Sequence, residues 1–212
     1  MIDRNFLRAL IALFYITLTA CNGSAPVPAT EKKADTGSIG EPVAETAPPP
    51  PAKPPIINIT DTLESRRLVL CVRDSASTYE RIAPKLGEIY LVKIGGYISK
   101  SGLRITGKPM AWFTRRESGY FFEAGFPVDR KPAKLPARFI FRETRADSAT
   151  IAHFYGPYPQ VPEGYAALEE YLRNNKQEAG QPYEIYVDDP MDKNGKPLDP
   201  WKVRTDIVFP RK

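Results

Sequence analysis

Histidine and cysteine are nearly missing from this sequence. His153 is the sole histidine, and Cys21 and Cys71 are the sole cysteines. No Cys/His metal cluster can be built from them, and no Ser/His/Asp or Cys/His nucleophile set assembles. Cys71 sits in the apolar run Leu68-Val69-Leu70-Cys71-Val72, with no nearby histidine or helix start to activate it, and reads as a buried inert thiol. His153, between Ala152 and Phe154, reads as a structural histidine in a strand. There is no glycine-rich phosphate loop, and Asp188–Gly195 lacks the alternating acids and closing glutamate of a calcium loop. No cofactor and no metal are therefore expected. Basic residues are scattered without a helix-turn-helix or similar motif, so no nucleic-acid partner is expected. Long hydrophobic runs are lacking too: Ala9–Thr19 is too short for a comfortable membrane span.

What that short run does fit is a processing segment. Arg4 and Arg8 precede it, and it ends Leu18-Thr19-Ala20-Cys21. Small residues before a cysteine at that place resemble a bacterial lipobox. Met1–Ala20 is then a lipoprotein signal peptide, and Cys21 the lipidated first residue, carrying palmitate-type acyl chains. Each buried CH₂ contributes about 0.8 kcal/mol, so several chains anchor stably. Asn22, where inner-membrane retention uses aspartate, points to the outer membrane of the bacterial envelope. Residues 21–55 follow as a tether. From Asn22 to Pro55 it carries nine prolines and little bulky apolar content, too little to offset its chain entropy, so it is expected to be disordered.

Residues 56–212 form one domain with enough chain for a real core. The first 55 residues hold five basic and five acidic side chains, so the whole net charge of +5 belongs to this domain. Ile56–Glu64 reads as an extra edge strand, and Arg67–Arg73 as the next strand. A helix follows from Ser75 to about Ile94, capped by Ser75 or Ser77, or begins near Ala83 with Pro84 in its first turn; Gly95-Gly96 ends it. Met110–Thr114 and Tyr120–Val128 read as a hairpin around Glu117-Ser118-Gly119. Arg138–Glu143 and Ala149–Tyr155 read as a second hairpin around Ala146-Asp147. A helix over about Pro162–Lys176 presents Val161, Tyr165, Leu168 and Leu172 as one apolar stripe. Tyr183–Asp188 and a strand ending Ile207-Val208-Phe209-Pro210 close the chain. Strand-helix-strand-strand thus occurs twice, from Arg67 to Val128 and from Ala149 to Phe209. The fold class expected is α+β: duplicated βαββ units in an antiparallel sheet.

Glu184 stands out within Tyr183-Glu184-Ile185-Tyr186-Val187. Strand alternation puts Glu184 and Tyr186 on one face and Tyr183, Ile185 and Val187 on the other. If the latter set packs on the helices, Glu184 points into a groove beside aromatic rings. A buried carboxylate needs hydrogen bonds or a cation, which suits an organic cation with an apolar body. The alternative is an exposed cross-strand pair with lysine or arginine. The candidate ligand-binding set is Glu184 and Tyr186, with Tyr155, Tyr158, Tyr79, Trp112, Tyr120 and Phe122 as walls; Trp112 and Phe122 are equally suited to the core.

Tyr155-Gly156-Pro157-Tyr158, the amphipathic helix, Tyr183-Glu184-Ile185-Tyr186 and the closing Ile207-Val208-Phe209-Pro210 together resemble the GyrI-like effector-binding domain, which also serves as the ligand-sensing half of some AraC-type and MerR-type regulators. The resemblance spans roughly Arg66 to Lys212. It implies helices on one side of the sheet, a cleft for a small molecule and a glutamate at the position of Glu184 on the cleft floor. Two functions are compatible with it. One is a membrane-tethered domain that captures amphipathic, cationic small molecules. The other is a hydrolase of reactive, cyclopropane-containing compounds, with Glu184 activating water and a tyrosine polarising the leaving oxygen. The sequence leaves the oligomeric state open.

Overall fold

The computed structural model describes residues 53–212 apart from Glu117 and Ala133. The signal peptide, Cys21 and the tether up to residue 52 lie outside the described residues. Eight strands pair antiparallel in one sheet: β1 (Ile56–Glu64), β2 (Leu68–Ala76), β3 (Met110–Arg116), β4 (Gly119–Pro127), β5 (Phe139–Glu143), β6 (Asp147–Tyr155), β7 (Tyr183–Tyr186) and β8 (Arg204–Pro210). Their order is β1-β6-β8-β7-β3-β4-β2-β5. Helix α1 (Ile82–Gly87) runs through a π-helical stretch, Glu88–Ile94, into α2 (Gly95–Ser101). Helix α3 spans Val161–Asn174.

The two βαββ units stand back to back. Outward from the centre, one half reads β3, β4, β2 and the other β7, β8, β6, with β5 and β1 added at the edges. The halves join along a short seam in which Met110 pairs with Ile185 and Ala111 with Glu184. Both helical layers lie on the same face. Ile82, Leu86, Ile89, Ile94 and Ile98 pack over Leu70, Val72, Phe122, Ala124 and Phe126 in the first half. Val161, Leu168 and Leu172 pack over Ala152, Phe154, Ile207 and Phe209 in the second.

The opposite face is apolar as well, because the sheet curls. Residues 65–67 and 144–146 each join strands six places apart in the sheet order. In a flat sheet those strands would be about 29 Å apart, yet four peptide steps reach only about 14 Å. The edges must therefore converge. The two links start side by side, extending the β2–β5 pairing: the Arg67 amide donates to Thr144 Oγ1 at 2.8 Å, the Thr144 amide donates to the Arg67 carbonyl at 2.9 Å, and Arg66 pairs with Glu143 at 2.6 Å. Inside the curl Val69, Cys71, Met110, Trp112, Ile151, Tyr183 and Val208 make a second core.

This curl corrects the hairpin expected from Arg138 to Tyr155. β5 pairs with β2, Leu68 opposite Glu143, and β6 pairs with β1 and β8. The turn-forming residues between them carry the chain from one edge to the other instead. The first helix also differs. Ser75 belongs to β2, so the helical segment begins with a 3₁₀ turn at Tyr79–Arg81, and no side chain caps it. Pro84 falls in the first turn of α1, where its missing amide costs nothing. Gly95-Gly96 does not end the helix, because Ile94 and Ile98 on either side are both pinned against the sheet. The stop is Gly102, in the left-handed region at φ 63°.

Gly164 sets how closely α3 approaches the sheet. A Cβ there would lie 2.5 Å from Ile207 Cδ1 and 3.2 Å from Phe154 Cδ2. Both are side-chain atoms that can yield at a cost. Gly164→Ala should lower stability by about 1–3 kcal/mol, the ordinary cost of overpacking, as read by denaturant unfolding.

Candidate functional site

Glu184 lies on the face covered by the helices, the reverse of the expected orientation. Alternation does separate Glu184 and Tyr186 from Tyr183 and Ile185. It is Tyr183 and Ile185, however, that enter the core inside the curl. Glu184 stands at the seam, flanked by Ala111 and Ile207 on the neighbouring strands. There the first helical layer gives way to α3, and the small Ala111 leaves room beneath.

The space around Glu184 is filled by tyrosines. Tyr186 Oη donates to Glu184 Oε2 at 2.7 Å, Tyr158 Oη to the same oxygen at 3.3 Å, and Tyr165 Oη to Oε1 at 3.2 Å. Tyr79 stacks on Tyr158 with ring centroids 5.6 Å apart and donates its hydroxyl to the Tyr158 carbonyl at 3.1 Å. Tyr90, in the π-helical stretch, is edge-on to Tyr186 at 6.0 Å and donates to the Met110 carbonyl at 3.0 Å. Tyr120 packs edge-on against Tyr79 at 5.7 Å. The first half thus supplies Tyr79, Tyr90 and Tyr120, the second Tyr158 and Tyr165, and the seam strand Tyr186.

Glu184 is 2% exposed, and among the described residues it forms no ion pair. Burial pushes its pKa up from the ordinary 4.5 to about 7, against three tyrosine hydroxyls that pull it down. Tyr79, Tyr158, Tyr165 and Tyr186 are shifted upward as well, by burial first and then by the Glu184 charge, so they remain neutral donors. When ionised, this carboxylate has hydroxyl donors and aromatic rings around it and no ion-pair partner among the described residues.

Of the residues chosen from sequence, Glu184, Tyr186, Tyr158, Tyr79 and Tyr120 come together here. Phe122 lies on the same face but in the core beneath the first helical segment, against Phe113. Trp112 is on the other face, packed on Tyr183 with the Arg142 guanidinium 4.8 Å from its ring centroid. Tyr155 also faces away, alongside His153. His153 bridges Thr60 Oγ1 at 2.9 Å and Asp206 Oδ1 at 2.8 Å, a polar cross-strand contact. Sequence reasoning missed Tyr165 and Tyr90. Tyr165 was placed correctly on the inward stripe of α3; the sign of a polar role was a hydroxyl-bearing ring where leucine would suffice. Two surface cavities, of about 620 and 340 Å³, lie elsewhere, the larger lined by Arg66, Arg67, Asp129 and Glu143.

Residues 111–212, which contain β3 from Ala111 on, α3 and the whole Glu184 strand, match the family model of the GyrI-like small molecule binding domain. That segment is GyrI-like. Solved structures agree in fold. The EcmrR C-terminal domain is 20% identical with a TM-score of 0.55 over 74% of this chain and 98% of its own. The EcmrR chain in its DNA complex is likewise 20% identical, with a TM-score of 0.58 over 74% of this chain; the match spans only 57% of that longer chain. SAV2435, bound to tetraphenylphosphonium, is 12% identical with a TM-score of 0.50 over 73% of this chain and 94% of its own. At these identities the likeness is one of fold. No curated protein matches this chain in sequence.

Proposed function

We propose that this GyrI-like domain captures lipophilic organic cations, with Glu184 as the counter-ion and the surrounding tyrosines as the apolar wall. The observation that carries the reading is a carboxylate 2% exposed whose only side-chain partners among the described residues are neutral hydroxyls. An incoming cation supplies the missing charge, and aromatic faces favour a delocalised or aryl-substituted one. Binding of tetraphenylphosphonium to SAV2435 supports that ligand class. Titrating tetraphenylphosphonium into the purified protein at about pH 8, with Glu184 ionised, should give saturable binding. No binding by a panel of aryl and alkyl cations would refute the reading.

Hydrolysis is the second reading, favoured by one observation. A carboxyl poised near pH 7 with a tyrosine hydroxyl 2.7 Å away suits general acid–base work. Turnover of a strained, cyclopropane-containing substrate would distinguish it from capture.

The domain is further proposed to act in the bacterial envelope, outer membrane favoured, held by acyl chains on Cys21 and spaced from the bilayer by the proline-rich tether. Cys21→Ser should move the protein from the membrane to the soluble fraction. Equal partitioning of both forms would refute the anchor.

A further inference from the structure

Basic residues that lie scattered along the sequence gather on the first half of the sheet, around β2, β4 and the start of β5. Arg73 and Arg142 both pair with Glu123, so one carboxylate holds two guanidinium groups. Asp74 is shared in the same way by Lys85 at 2.9 Å and Lys93 at 3.2 Å. Arg116 and Arg138 are exposed and have no carboxylate partner among the described residues. The Arg116 guanidinium lies 5.1 Å from the centroid of the Phe121 ring. Arg73, Asp74, Ser75, Phe121 and Arg138 line the surface cavity of about 340 Å³. Phe121 is 38% exposed, and so is Leu135, in the loop that leads to Arg138. That loop ends in a turn in which the Phe139 amide donates to the Pro136 carbonyl at 3.2 Å, and Arg138 takes its third place at φ 71°. Glycine is the residue such a place favours, so what arginine adds there is its side chain.

We propose that this patch docks the domain on the anionic phospholipid headgroups of a bilayer. The cavity takes a lipid phosphate between Arg73 and Arg138, and Phe121 and Leu135 enter the headgroup layer beside it. The proposal rests on the reading of Cys21 as a lipid anchor, which is what brings the domain to a membrane. Charge complementarity favours this partner: the two carboxylates of the patch are already shared among four cations, and a phosphate supplies the negative charge that Arg116 and Arg138 lack. Exposed phenylalanine and leucine among guanidinium groups suit a layer that is charged at its surface and apolar just beneath. A small free anion would leave both side chains without a use. The contact is weak, worth about five-fold in partition for each basic residue, too weak to keep an unanchored chain on the bilayer. Held on a tether, the domain stays at high local concentration, and the same contact then sets which side of it faces the lipid.

The test uses the full-length chain with Cys21→Ser, so that no acyl chain contributes, sedimented with vesicles of phosphatidylcholine alone or with about 30% phosphatidylglycerol. The protein should partition into the anionic vesicles, and the partition should fall steeply between about 0.05 M and about 0.5 M salt. Arg116→Gln and Arg138→Gly should each lower it about five-fold at the lower salt. Arg138→Gly also relieves the left-handed backbone, so binding should fall without a fall in Tm. Leu135→Ser should weaken binding at both salt concentrations, because salt does not screen an apolar contact. Lys176→Gly makes the same change at the other non-glycine residue with positive φ among the described residues, beyond the end of α3, and should leave the partition unchanged. No preference for anionic vesicles, or an equal loss from Lys176→Gly, would overturn the patch. Binding of inorganic phosphate or of duplex DNA without partition into vesicles would overturn it too, marking a small-anion site or a nucleic-acid surface. The anchor is read separately, by fractionating cells that carry wild type or Cys21→Ser, so either idea can fail while the other stands.

Discussion

Moving from about pH 5 to about pH 8 should destabilise the wild-type protein relative to its Glu184→Gln variant by about 3 kcal/mol, roughly 6–12 °C in Tm for a domain of this size. The folded-state pKa of Glu184 is raised, from 4.5 to about 7. Its contribution to stability is therefore fully present below about pH 4.5 and is lost as the pH rises through about 7. In that window the unfolded chain ionises freely, while the folded chain holds its proton in a desolvated site. Glutamine keeps the shape and an acceptor for the tyrosine hydroxyls but never ionises. All other titrating groups are common to both proteins and cancel in the difference. Parallel Tm-against-pH curves would mean that Glu184 is solvated in solution and that the tyrosine cluster around it does not form.

Gly125→Ala should cost about 4 kcal/mol or more, the range reached only when a substitution breaks a fixed element of the fold. Gly125 in β4 pairs with Cys71 of β2 on one side and Met110 of β3 on the other. A Cβ at this position would stand 1.8 Å from the Leu70 carbonyl oxygen, 2.6 Å from the Leu70 carbonyl carbon and 2.8 Å from Cys71 Cα. All three are backbone atoms, so relief requires β2 to leave its place, and β2 carries both β5 and, through residues 65–67, the link from β1. Gly164 differs because its Cβ would meet flexible side chains. Denaturant unfolding should rank Gly125→Ala well below Gly164→Ala; equal stabilities would contradict the close approach of β2 and β4.

The strands, α3 and the twofold strand-helix-strand-strand plan were legible because each depends on local pattern. β-branched and aromatic runs marked the strands, and the stripe Val161, Leu168, Leu172 marked α3. What was not legible depends on the whole sheet. Ala146-Asp147 is as good a turn signal for a crossing link as for a hairpin, and only the curl, which brings the sheet edges together, decides between them. Gly95-Gly96 looks like a helix stop from sequence, but Ile94 and Ile98 hold the helix past it. The same limit applies at the site. Period-two alternation correctly grouped Glu184 with Tyr186, but it cannot say which face the helices cover when both faces are apolar. Trp112 and Tyr155 went to the inner face of the curl for that reason. Tyr165 was hidden because a tyrosine on a helix stripe looks like core until its hydroxyl has a partner, and Tyr90 because it lies in the π-helical stretch Glu88–Ile94, where the regular helical period does not hold.

A carboxylate buried without a cation, ringed by hydroxyl donors and aromatic faces, ties the fold to its proposed use. The most direct measurement is calorimetric titration of tetraphenylphosphonium into wild type and Glu184→Gln at about pH 8. Loss of a charge-assisted contact in a desolvated site should weaken binding by about 1.5–3 kcal/mol, a factor of roughly ten to a hundred, while the unliganded variant melts at the higher temperature. Equal affinity in the two proteins, with the folded state of each intact, would contradict the assignment of Glu184 as the cation's counter-ion.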